Sequence, residues 1–74
     1  MNQGEPTVGK TLEQALRHFN DGDIEEAGAL CDSVLDATPG HAGALHMRGV
    51  ILARQGRPDE AVSSLTRAAQ LQTD

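Results

Sequence analysis

The chain has no Trp, no Tyr and a single Phe, so the aromatic side chains that dominate many small cores are almost missing. A core must instead be assembled from Leu, Ile, Val, Met and many Ala, which let helices approach closely but bury little area each. One cysteine, Cys31, excludes an internal disulfide, and a buried, inert thiol is its expected state. No apolar run approaches the roughly 18 residues needed to span a bilayer, and residues 1 to 10 lack the apolar stretch of a secretory signal. Basic side chains are scarce as well. Six Lys and Arg against eleven Asp and Glu give a formal charge of −5, which opposes nucleic acid and anionic membrane surfaces. These absences predict a soluble, cytoplasmic chain. With 74 residues there is one domain at most, and below roughly 80 residues a single core leaves only a few kcal/mol of net stability.

What is present is a self-match at an offset of 34 residues: Gly22 with Gly56, Glu25 with Asp59, Glu26 with Glu60, Ala27 with Ala61. The same offset pairs Ala15 with Gly49, Leu16 with Val50, Cys31 with Leu65 and Val34 with Ala68, so it follows side-chain size as well as identity. Self-similarity at a fixed period marks a repeat whose units stack and leave a curved surface for a partner.

Residues 1 to 8 show no period and contain Gly and Pro, which predicts a flexible leader. A first helix then runs to about Asn20, with Leu12, Ala15, Leu16 and Phe19 on one apolar stripe. Thr11 with Gln14, or Thr7 earlier, would cap it. Asn20, Asp21 and Gly22 form a turn, and Asp23 with Glu26 predicts a capping box at the start of a second helix. That helix carries Ile24, Ala27, Leu30, Cys31, Val34 and Leu35, and ends near Ala37 because Pro39 disfavours helical geometry at Thr38. A third helix is expected from about Ala42 to Gln55, with Leu45, Gly49, Val50 and Leu52 facing inward. Gly49 costs such a helix about 1 kcal/mol, so a close approach by a paired helix is its expected reason. Gly56 closes that helix, Pro58 suits the first turn of a fourth, and Ala61, Leu65 and Ala68 form the fourth's buried stripe. The outer face of the last helix, with Val62, Leu65, Ala69 and Leu71, is left open to another copy or a further repeat.

The second unit reads Leu45-x2-Arg48-Gly49-x2-Leu52, then Ala61-x3-Leu65, with Thr73 where Pro would fall. The first reads Thr11-x2-Gln14-Ala15-x2-His18, then Ala27-x3-Cys31, then Pro39. This resembles the tetratricopeptide repeat, whose pattern is Trp-x2-Leu-Gly-x2-Tyr, then Ala-x3-Phe, then Pro. The resemblance covers residues 9 to 74. It implies an all-α fold of four antiparallel helices in two tandem helix-turn-helix hairpins, 9–40 and 41–74, stacked in a right-handed superhelix. The first helix departs from the pattern, since Thr11, Gln14 and His18 replace apolar residues and its stripe is displaced onto Leu12, Leu16 and Phe19.

Carried over position by position, the family's concave binding surface falls on Leu12, Leu16, Phe19 and Asn20 of the first unit and on His46, Val50, Ala53 and Arg54 of the second. The Lys and Asn residues with which some members hold a partner's terminal carboxylate are replaced here by Leu12, Leu16 and His46, so chaperone-tail recognition is not expected. The strip is mostly apolar and suits an amphipathic helix or hydrophobic peptide. Equally, Leu12, Leu16 and Phe19 would complete the core of a short protein or pack against a second copy in a homodimer. Because repeat proteins need about three units or more, the chain should dimerise, bind a partner, or be a piece of something longer. Its wording also resembles bacterial repeats found ahead of glycosyltransferase or sulfotransferase domains, so a docking or regulatory part of such an enzyme is the alternative.

Gly4-Glu5-Pro6-Thr7-Val8-Gly9-Lys10-Thr11 fits the phosphate-loop pattern Gly-x4-Gly-Lys-Thr letter for letter. That mechanism needs a strand before the loop and a magnesium-holding acid on another. Only three residues precede Gly4 and no strand pattern exists, so nucleotide binding is a remote alternative and no cofactor is expected. His18, His41, His46 and Cys31 lack the close paired spacing of a zinc motif, and no metal is expected. Asp21, Asp23, Glu25 and Glu26 suit caps and helix dipoles rather than acid–base catalysis, so the chain is not expected to be an enzyme.

Overall fold

The two turn glycines repeat not only in sequence but in geometry. Gly22 has φ +91° and Gly56 φ +76°, the left-handed region that only Gly enters without penalty. In the computed structural model, which describes the backbone of residues 4–72 and the side chains of residues 8–72, each closes a helix in the same way. The Asp23 N–H donates to the His18 carbonyl at 2.8 Å and the Gly22 N–H to that of Phe19 at 3.1 Å. At the equivalent places, the Arg57 N–H donates to Leu52 at 3.0 Å and the Gly56 N–H to Ala53 at 3.2 Å. These are two Schellman motifs, which satisfy the last carbonyls of a helix and reverse the chain.

Four helices result: α1 Gly4–Asn20, α2 Ile24–Ala37, α3 Ala42–Arg54 and α4 Pro58–Gln72. The described residues contain no strand, and the fold is all-α. Within each hairpin the two helices pack side by side, α1 on α2 and α3 on α4, while α2 also packs on α3 and joins the hairpins. α1 touches α3 only lightly, and α4 packs against α3 alone. The shortest dimension is 17 Å between Cα atoms, about the thickness of two packed helices.

Helix α1 starts earlier than the sequence suggests. Residues 4–8, expected in a flexible leader, are helical, and residues 1–3 lie outside the described residues. Pro6 does not prevent this, because in the first turn its missing N–H has no intrahelical partner to lose. Thr11 and Gln14, expected near the start, lie well inside α1.

The capping box expected at α2 does not form: Asp23 caps no backbone N–H, and its carboxylate lies 3.4 Å from His18 Nδ1 instead. α3 ends at Arg54, one residue short of the expected end, with Gln55 as C-cap. Its N-terminus has a cap that the sequence does not reveal, for His41 Nδ1 accepts the Ala44 N–H at 3.1 Å.

Gly49 has the packing reason expected for it. A Cβ there would lie 2.5 Å from Leu65 Cγ and 2.7 Å from Leu65 Cδ2, so α4 could not sit where it does against any larger residue. Leu65 itself is only half-buried, and Ser64 joins Ala61 and Ala68 on the buried face of α4. The deepest cluster is Ala15, Ala27, Cys31 and Ile51, so Ile51 of α3 reaches across to the first hairpin. Asp32 and Arg48 add a 2.8 Å ion pair between α2 and α3 at the surface.

Candidate functional site

Because α1 and α3 meet only lightly, a groove remains between them, and their side chains set its chemistry. From α1 come Leu16 and Phe19; from α3 come Gly43, His46, Met47 and Val50, which share one helical face. Together they line a shallow apolar pocket of about 190 Å³. Leu16 is 49% exposed, whereas Phe19 and Val50 are half-buried. Phe19 both packs on the core cluster and forms pocket wall. The Arg54 guanidinium carbon lies 5.2 Å from the centroid of its ring, within cation–π reach.

The eight residues of the expected concave surface thus separate. Leu16, Phe19, His46 and Val50 line the pocket, and the Arg54 guanidinium lies over the Phe19 ring. Leu12 is half-buried against the core cluster, while Asn20 and Ala53 are exposed and contribute no pocket wall. Gly43 and Met47 join the pocket without having been expected there. Their spacing carries the signal, since 43, 47, 50 and 54 follow i, i+4, i+7, i+11 on one stripe of α3. Gly43 also makes room for the helix cap, for a Cβ on it would come within 3.2 Å of His41 Cε1.

Two other hollows are different in kind. One of about 540 Å³ lies around the α1–α2 turn, lined by His18, Gly22, Asp23, Ile24, Glu25 and Glu26. It is larger than the groove pocket, but its charged walls face open solvent at the turn. Another, of about 250 Å³, is lined by Val8, Thr11, Ser33, Val34 and Ala37. At the 34-residue offset, Thr11 and Ala37 correspond to Leu45 and Leu71, so smaller residues leave this hollow in the first hairpin. On α4, Val62 and Leu71 are exposed, but nine residues apart they lie on opposite sides of the helix and do not form the single open face expected.

Titratable groups give little purchase for catalysis. The Cys31 thiol is pushed up to about 11 by burial, reinforced by the Asp32 carboxylate and opposed by Arg48, so at neutral pH it is a thiol and not a nucleophilic thiolate. Among the described residues no three His, Cys, Asp or Glu side chains gather where they would hold a metal ion. The phosphate-loop match fails on geometry. Gly4 to Thr11 all lie within α1, so the segment is not a loop with its N–H groups turned in on an anion. No helix among the described residues is long and apolar enough to cross a membrane.

The Tetratricopeptide repeat family model matches residues 18–74. The match runs from the end of α1 through α4 and omits the part of α1 where Thr11 and Gln14 stand in apolar places. Neither the curated proteins nor the solved structures contain a match to this chain.

Proposed function

Since this chain belongs to the tetratricopeptide repeat family, we propose that it is a non-catalytic protein–protein interaction module, seating an amphipathic helix or hydrophobic peptide in the groove between α1 and α3. The observation that carries this reading is the pairing of half-exposed Leu16 with an apolar pocket walled by Phe19, Met47 and Val50. An exposed apolar side chain beside an apolar hollow suits the anchor residues of a helix laid into a groove. A second copy of the chain is the other occupant of the same chemistry. The protonated, buried Cys31 supports the non-catalytic reading.

The test is calorimetric titration with an amphipathic helical peptide carrying Leu at i, i+4 and i+7, alongside sedimentation velocity of the chain alone. Leu16→Asp is the informative variant, because Leu16 is exposed enough for the fold to survive. Saturable peptide binding, or dimerisation, that Leu16→Asp abolishes supports the groove. Binding and association both unchanged in Leu16→Asp would overturn it.

A further inference from the structure

The groove reading leaves the partner's chemistry open, and the charges at the groove narrow it. Three arginines lie on or next to α3. Arg48 pairs with Asp32 at 2.8 Å and Arg57 with Glu60 at 2.8 Å. Arg54, alone of the three, has no carboxylate within ion-pair reach among the described residues, and its contact is the Phe19 ring. The ring contact leaves the guanidinium's five N–H donors without a carboxylate partner among the described residues, and their fixed fork is matched to one. The same contact keeps the guanidinium beside Phe19, which forms a wall of the pocket.

The residues that line the pocket include no acid. Leu12, Leu16 and Phe19 on α1, and Gly43, His46, Met47, Val50 and Arg54 on α3, include no Asp or Glu. A chain of net charge −5 thus places an arginine at the edge of a pocket whose lining, among the described residues, includes no Asp or Glu. Resting on the groove reading above, we propose that the partner is an acidic amphipathic helix or peptide: apolar anchors fill the pocket, and an Asp or Glu next to the last anchor pairs with Arg54. Nucleic acid, though anionic, has no apolar anchors for the pocket and is repelled by the rest of the surface.

The experiment uses two helical peptides with the same Leu anchors, one with Glu and one with Lys at the flanking positions, titrated into the full chain and into Arg54→Gln. The expected result is that the Glu peptide binds about tenfold tighter, as an attractive contact is exchanged for a repulsive one. This preference should shrink to about twofold or less in Arg54→Gln and weaken as salt is raised. The net charge alone would favour the Lys peptide, so a Glu preference must come from the local arginine. Equal binding of the two peptides, or tighter binding of the Lys peptide, overturns this inference while leaving the groove reading intact. Binding of neither peptide, or binding that Leu16→Asp does not weaken, overturns both. Tight binding of a Glu peptide whose Leu anchors are replaced by Ala also overturns the inference, because charge alone would then suffice.

Discussion

The two hairpins solve one packing problem with different side chains. In the second, Gly49 of α3 lets Leu65 of α4 press against the helix backbone, where an added Cβ would lie 2.5 Å from Leu65 Cγ. In the first, the equivalent residues are Ala15 and Cys31, both fully buried. The first hairpin is thus larger on one helix and smaller on the other. Across the 34-residue offset an added methyl on one helix goes with a smaller side chain on the other, the direction of exchange that close packing demands. The hairpins differ again where they meet. Ile51 is 1% exposed and inserts into the first hairpin's cluster, whereas its counterpart Arg17 is exposed on α1. An apolar residue marks the joined side of a unit and a charged one its outer side.

Breaking the joint should have the largest effect. Ile51→Ala is expected to destabilise by about 2–5 kcal/mol, enough to unfold much of so small a protein, while Arg17→Ala should stay within about 0.5 kcal/mol. Far-UV circular dichroism during urea titration reads both. Similar losses for the two variants would mean that the hairpins are not joined through Ile51.

Next comes alkaline pH, which singles out the first hairpin. Well below its ordinary value of 9.0 the Cys31 thiol is protonated in folded and unfolded chains alike and contributes no slope. Between its ordinary 9.0 and its folded value of about 11, only the unfolded chain loses the proton, so stability falls as pH rises, by up to about 2–3 kcal/mol. With no Tyr and one Lys, few other side chains titrate in that window. The urea midpoint should therefore drop from pH 9 to pH 11 in the wild type and stay nearly level in Cys31→Ala.

A smaller effect sharpens the volume comparison. Gly49→Ala gains helix propensity but crowds Leu65, and a net loss of about 1–3 kcal/mol is expected. Adding Leu65→Cys recreates the first hairpin's pair in the second and should recover most of that loss, a coupling that a double-mutant cycle measures directly. Additive losses would show that the two positions are independent. A smaller loss is expected for His41→Ala, which removes the α3 cap and should cost about 1 kcal/mol in thermal or urea unfolding, with His41→Asn nearly neutral.

The same contrasts separate what is legible in the amino-acid order from what only packing decides. The period, the turn glycines and the inward small residues are legible because each follows from local backbone rules: φ above zero at Gly22 and Gly56, and helical spacing around Ala27 and Ala61. The early start of α1 is not, since Gly4 and Pro6 read as breakers although a first turn tolerates both. Nor is the fate of Asp23. Its local pattern promises a cap, but His18, brought alongside by the Schellman turn, takes the carboxylate. In the groove, Leu16, Phe19, His46 and Val50 follow from the repeat register. Met47 belongs neither to the expected inward set of α3 nor to the expected groove, and it is half-buried, packing on the core cluster and lining the pocket at once. Leu12 errs the other way, as the displaced stripe does not lie wholly in the groove.

The claim on which function rests is that the face shared by α1 and α3 receives the partner, not the acidic hollow at the first turn or the outer sides of α4. Amide chemical-shift mapping of the isotope-labelled chain, titrated with the Glu-flanked Leu peptide, tests it most directly. The predicted result is a set of saturable shifts confined to residues 12–20 and 43–54, with the Leu16 and Val50 methyls moving alongside. Shifts centred on residues 22–26 or on 58–72, with the α1 and α3 methyls unmoved, would contradict it.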